Sequence, residues 1–128
     1  MTSKPSRILI AEDDRFLSKA AAVILRRRGH IVVTASDGEA ALQEARATPP
    51  DMVLLDLIMP KMQGFEVLRA LKSNPATCAI PVIVMSNLSQ AQDRERMLAA
   101  GASDYLVKAN LSLDELASAV DRTLAEER

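Results

Sequence analysis

Three acids stand in succession, Glu12-Asp13-Asp14, directly after the apolar run Ile8-Leu9-Ile10-Ala11. Asp56 closes a second run, Met52-Val53-Leu54-Leu55, while Ser86 follows Val82-Ile83-Val84-Met85 and Lys108 follows Tyr105-Leu106-Val107. Carboxylates gathered from distant positions repel one another unless a cation joins them. Hard carboxylate oxygens with few soft ligands nearby point to Mg²⁺, or Mn²⁺ in its place. A divalent ion held by two or three carboxylates, with waters left over, suits phosphate chemistry. Lys108 can then meet a phosphate oxygen as a point charge, and Ser86 can donate a hydroxyl hydrogen bond. The nucleophile can be an aspartate carboxylate, which forms an acyl phosphate. The alternative for the first acids is helix capping, since carboxylates favour the positive end of a helix dipole. Asp14 fits that role most naturally. Capping does not account for Asp56, which ends an apolar run expected on a central strand.

Such a convergence requires elements that bring these positions together. The short apolar runs, with Ile31-Val32-Val33 between the first two, are too brief for helices and read as strands buried on both faces. Helical spacing fills the gaps: Phe16, Leu17, Ala20, Ala21, Ile24 and Leu25; Ala40, Ala41 and Ala45; Val67, Leu68 and Leu71; Met97 and Leu98; Leu113, Leu116, Val120 and Leu124. Stop signals agree. Gly29 follows the cationic turn Arg26-Arg27-Arg28, Gly101 follows the fourth helix, and Pro49-Pro50 and Pro75 follow the second and third. Ser112 and Glu115 have capping-box spacing at the fifth. Five alternations of strand and helix imply right-handed crossovers and a doubly wound α/β fold, a five-stranded parallel sheet with five helices. Ligands of such sheets bind beyond the carboxyl ends of the strands, where the acids, Ser86 and Lys108 fall.

At this point the sequence resembles the receiver domains of two-component response regulators, CheY-like proteins of flavodoxin-like strand order 2-1-3-4-5. The resemblance rests on Ile8 through Asp14, on Asp51 through Pro60 with Gly64, and on Gly101-Ala102-Ser103-Asp104-Tyr105-Leu106-Val107-Lys108. It implies that Asp56 is the phosphoacceptor, taking a phosphoryl group from a histidine kinase or a histidine phosphotransfer protein. It also implies that Asp13, Asp56 and the backbone carbonyl of Ile58 bind Mg²⁺ directly, with Glu12 acting through water. Ser86 and Lys108 would contact the phosphoryl group, and Ser86 and Tyr105 would form the switch. Output would pass through a surface of the fourth helix, fifth strand and fifth helix to a partner protein. With no effector segment expected after the fifth helix, output through a surface is the expectation. By the same resemblance Ile58 and Leu88, two residues beyond the acceptor and the hydroxyl, would border the water's approach to the phosphoryl group, at positions that vary in the family and tune its lifetime.

Two positions depart from the family pattern. The lysine is usually followed by a cis proline, whereas Ala109-Asn110 follow here. Cis costs roughly 0.5–1 kcal/mol before proline and about 3–4 before other residues, so this bond is either trans with a different loop or a store of strain. The residue after the hydroxyl is usually small, and here it is Asn87, where relatives open a path for the switch aromatic.

Composition narrows the function. Apolar residues make up 48% of the 128 and charged residues 26%, the balance of one folded domain. Boundaries are expected at an N-terminal tail (1–6), the receiver domain (7–124) and a helix end (125–128). Sixteen basic residues against seventeen acidic leave no global basic field for nucleic acid. No apolar run approaches the roughly 20 residues of a membrane span, the N-terminus lacks a signal region, and Cys78 is the only cysteine. A cytoplasmic protein is expected, without direct binding to nucleic acid or membrane. It would be no enzyme beyond its own phosphorylation and dephosphorylation. The competing readings are a receiver-like scaffold that is not phosphorylated and an aspartyl-phosphate phosphohydrolase. The latter needs a second acid two residues after the nucleophile, where Ile58 stands. A flavodoxin-like electron carrier fails because its phosphate-binding loop would here carry three acids. His30 is expected on the approach to the second strand, Met59 and Met62 as packing for the acceptor loop, and Asp93-Arg94-Glu95-Arg96 as a solvated helix face.

Overall fold

A computed structural model describes residues 5–87 and 91–127. The elements alternate along the chain: β1 (Arg7–Ala11), α1 (Arg15–Arg27), β2 (Ile31–Ala35), α2 (Gly38–Ala47), β3 (Met52–Asp56), α3 (Gly64–Ser73), β4 (Val82–Ser86), α4 (Ala91–Ala99), β5 (Asp104–Val107) and α5 (Leu113–Glu126). All four strand pairings are parallel, in the order β2-β1-β3-β4-β5. This is the expected doubly wound sheet, with β3 at its centre.

Side chains alternate across the sheet, so each apolar run feeds two cores. Leu9, Ala11, Val53, Leu55, Val82 and Val84 pack against Ala41 and Leu42 of α2, Val67, Leu68 and Leu71 of α3, and Met97 of α4. Ile8, Ile10, Met52, Leu54, Ile83 and Met85 pack against Ala21 and Leu25 of α1 and Leu116 and Val120 of α5. Truncating a fully buried member such as Leu54 to alanine costs about 2–5 kcal/mol. Burial on both faces holds for β3 and β4 along their whole length. It does not hold for β2 and β5, which are edge strands with part-exposed positions, including Ile31. An edge strand lacks a neighbour on one side, and a short apolar run does not reveal its rank in the sheet.

The helix signals act as their chemistry requires. Asp14 Oδ1 accepts from the backbone N–H groups of Phe16 and Leu17 at 2.9 and 3.2 Å, capping α1. Both bonds of the Ser112–Glu115 capping box form at the start of α5. Gly29 and Gly101 take φ values of +91° and +111° after α1 and α4, a region that disfavours other residues. The polar run on α4 is largely solvent-exposed, as expected, and two of its arginines also make contacts. The Arg94 guanidinium donates to the Tyr105 carbonyl at 3.0 Å, and Arg96 lies 4.1 Å from the Phe65 ring centroid. Only Met97 is buried on α4, so these arginines supply anchorage that apolar packing does not.

Candidate functional site

Because the strands are parallel, the carboxyl ends of β1, β3, β4 and β5 share one edge, and register sets Asp56 beside Met85 and Ser86 beside Val107. Glu12 is held just past β1 by its N–H, which donates to the Ala35 carbonyl at 3.0 Å. Its side chain is buried, as is that of Asp56, whereas Asp13 points to solvent. Each of Glu12, Asp13 and Asp56 offers a carboxylate oxygen, and these oxygens lie within 4.8 Å of one another. Hard oxygens so grouped can hold a small divalent cation. Lys108, arriving from β5, places Nζ 2.6 Å from Glu12 Oε1 and 3.1 Å from Asp56 Oδ1.

Burial raises the Glu12 carboxyl to a pKa of about 7, with the Lys108 and Asp14 N–H hydrogen bonds offsetting part of the effect and Asp56 adding to it. Burial also pulls the Lys108 ammonium down, but the hydrogen bond and charge of Glu12, together with Asp56, outweigh it, and its pKa is raised. The expected repulsion among the acids is thus present yet secondary for Glu12. The lysine expected to meet a phosphoryl group here stabilises the two buried acids.

The loop after Asp56 is shaped by close backbone contacts. The Ile58 N–H donates to Asp56 Oδ1 at 3.4 Å, and the Gly64 N–H donates to the Leu57 carbonyl at 2.8 Å, starting α3. A Cβ on Gly64 would collide with the Asp56 carbonyl oxygen, and one on Gly38 with the Met62 carbonyl oxygen. Lys61 sits at φ +68° with its ammonium 3.8 Å from Asp37. The segment carrying the Ile58 carbonyl is therefore clamped between α2 and β3. In the sequence, the steric requirement at these two glycines shows only as the Asp37-Gly38 pair and the Gly64 spacing. Met59 is buried and Met62 packs against the same core, as expected of loop packing.

Ser86 is buried at the same sheet edge, Tyr105 is buried within the core of α2, α3 and α4, and Asn87 is exposed. Leu88 lies outside the described residues. The described peptide bonds include no cis bond, so Lys108-Ala109 is trans, and a 3₁₀ turn, Lys108–Asn110, carries the chain to α5. The alternative of a strained cis bond before Ala109 is thereby excluded. His30 precedes β2 with Nε2 2.9 Å from Asp121 of α5, and Cys78 is exposed. No described helix is long and apolar enough to cross a membrane.

Comparison with known proteins agrees with this architecture. Residues 8–121 match the response regulator receiver domain family. A gliding motility regulatory protein of Myxococcus xanthus is 40% identical over 120 residues, which cover 94% of this chain and 15% of that protein. The receiver domain of Francisella response regulator 1452 superposes with a TM-score of 0.90 at 27% identity, over 96% of this chain and 99% of that one. The Mn²⁺-bound form of response regulator Rcp1 gives 0.81 at 27% identity, over 91% and 92%. The chain spans less than half the length of the curated relatives it matches. With the family match running through nearly every element of the sheet, the chain belongs to the response regulator receiver domains.

Proposed function

We propose that this chain is a phosphoacceptor receiver of a two-component pathway and that Asp56 is the residue phosphorylated. The carrying observation is the convergence of Glu12, Asp13 and Asp56 around Lys108 at one sheet edge. Asp13, Asp56 and the Ile58 carbonyl would hold Mg²⁺, with Glu12 acting through water; Mn²⁺ fits the same oxygens, as the Mn²⁺-bound relative supports. The ion supplies positive charge beside phosphoryl oxygens when bound.

The chain's own groups do the rest. An Asp56 carboxylate oxygen attacks the phosphorus of a phosphohistidine; the new P–O bond forms as the P–N bond breaks, and the imidazole departs with its electron pair. Lys108 already addresses Asp56 Oδ1 and needs only a small movement to reach a phosphoryl oxygen. Ser86, on β4, donates its hydroxyl to another oxygen, and buried Tyr105 reorients as the switch. The donor is a histidine kinase or histidine phosphotransfer protein, and the output partner docks on α4, β5 and α5. Catalysis is confined to the chain's own phosphorylation and dephosphorylation. A cytoplasmic setting agrees with these partners.

The deciding test is incubation with acetyl phosphate and Mg²⁺ followed by intact mass. One phosphoryl adduct in the wild type, lost in Asp56→Asn, is expected. An unmodified wild type would favour the scaffold.

A further inference from the structure

A groove of about 420 Å³ runs between α1 and the open edge of β2. Arg15, Lys19 and Arg26 line it from one face of α1, and Thr34 and Ser36 line it from the strand side. From Arg15 through Ser36 the sequence holds five Arg or Lys residues and no acid, although the chain as a whole carries a net charge of −1. None of the three lining cations forms an ion pair with a described residue. Glu12 reaches one end of the groove, but its carboxylate is already held by Lys108. A basic helix face normally rides outward into solvent. Here the cations border a concave channel beside an unpaired sheet edge.

The edge has the backbone polarity to receive a strand. The Ile31 N–H donates to Ser6 and the Ala35 carbonyl accepts from Glu12, so residues 31, 33 and 35 face β1. By alternation, Val32 and Thr34 present their backbone groups to the open side. The Arg26 guanidinium donates to the Val32 carbonyl at 3.0 Å, which covers one outward acceptor and leaves Thr34 as the exposed approach. Arg15 and Arg26 are separated by about 16 Å along the helix axis, a span matched by about five extended residues.

We infer that this groove docks an extended acidic polypeptide segment from a partner protein. Its backbone pairs with the β2 edge at Thr34, and its carboxylates meet Arg15, Lys19 and Arg26. Edge pairing provides backbone bonds and the cations provide selection for acid, a division of labour common to added-strand recognition. The groove meets the acceptor cluster only at Glu12, and docking in it does not require phosphorylation.

The test uses unphosphorylated, metal-free protein and a fluorescein-labelled peptide of about five Glu-Thr repeats, long enough to span the edge. Saturable binding is expected, weakened by salt, with amide shifts confined to α1 and β2. Arg15→Gln with Lys19→Gln should lower affinity about tenfold. Thr34→Pro, tolerated on an edge strand, should lower it too while the thermal melt stays cooperative. Absent binding, equal binding of a Lys-Thr peptide, or unchanged affinity in the charge variant would overturn the inference. So would tighter binding of oligothymidine or phosphatidylserine vesicles, which would give the basic face to nucleic acid or membrane.

Discussion

The Lys108 ammonium at the end of β5 stands 2.6 Å from Glu12 Oε1 at the end of β1, although β3 and β4 lie between those strands. One side chain thus ties the far side of the sheet to the strand that carries the first acids. Glu12 is buried, so without the lysine its charge keeps only the Asp14 N–H, 3.1 Å away, as a partner. Lys108→Ala should destabilise the metal-free protein by about 1–3 kcal/mol at pH 8, and by less at pH 6, where Glu12 can take a proton. Urea unfolding at both pH values measures this. The same variant should lose affinity for beryllofluoride more than for Mg²⁺. A variant that keeps the mimic and loses the metal would remove Lys108 from the phosphoryl site.

Glu12 also gives the protein a defined pH response. Its pKa is about 7 when folded, against an ordinary 4.5, because burial disfavours its charge. Between those values the folded state holds the proton and the unfolded state does not. The contribution of Glu12 is therefore complete below about pH 4.5 and is lost as the pH rises to about 7. The stability difference between wild type and Glu12→Gln, metal-free, should fall by roughly 1–3 kcal/mol across that window. A difference that is flat or rises with pH would show that burial does not govern this carboxyl.

The fold was legible because alternation of short apolar runs with helical spacing has few parallel-sheet solutions. Glu12, Asp13, Asp56 and Lys108 were legible for a related reason: each lies at or within two residues of a strand's end, and parallel strands end together. What the sequence concealed depends on depth and distance. Glu12 and Asp13 are adjacent and chemically alike, yet one is buried against Lys108 and the other faces solvent. Arg94 and Arg96 are exposed, as their charge suggests, but their contacts with the Tyr105 carbonyl and the Phe65 ring follow only from where α4 is placed. The clearances at Gly38 and Gly64 come from approaching backbones far away in sequence or across a loop. None of these features has a periodicity.

Asp13 is the exposed member of the acid cluster, so its role is separable from folding. Mg²⁺ that binds only the folded state at a hundredfold excess over its Kd should add about 2.7 kcal/mol. Asp13→Asn should remove most of that gain while leaving the metal-free protein no less stable, because a like charge has been removed. Thermal melts with and without Mg²⁺ give the comparison. Equal Mg²⁺ responses in the two proteins would exclude Asp13 as a ligand.

Ile58 bears on how long a phosphoryl group would survive on Asp56. Its side chain is 62% exposed two residues past the acceptor, while its N–H donates to Asp56 Oδ1 at 3.4 Å. Hydrolysis of an aspartyl phosphate needs a water aligned opposite the carboxylate oxygen. An isoleucine there can neither orient that water by hydrogen bonding nor accept its proton. Leu88, two residues beyond Ser86 in the sequence, is apolar too. Positioning and general-base assistance are each worth orders of magnitude in rate, so the phosphorylated state should be long-lived unless another protein supplies the polar group. Ile58→Asn combined with Leu88→Glu should accelerate decay at least about tenfold in the presence of Mg²⁺. The measurement is loss of the phosphoryl adduct by intact mass after the donor is removed, wild type against double variant. Decay that is equal or slower in the variant would show that these side chains do not limit the water.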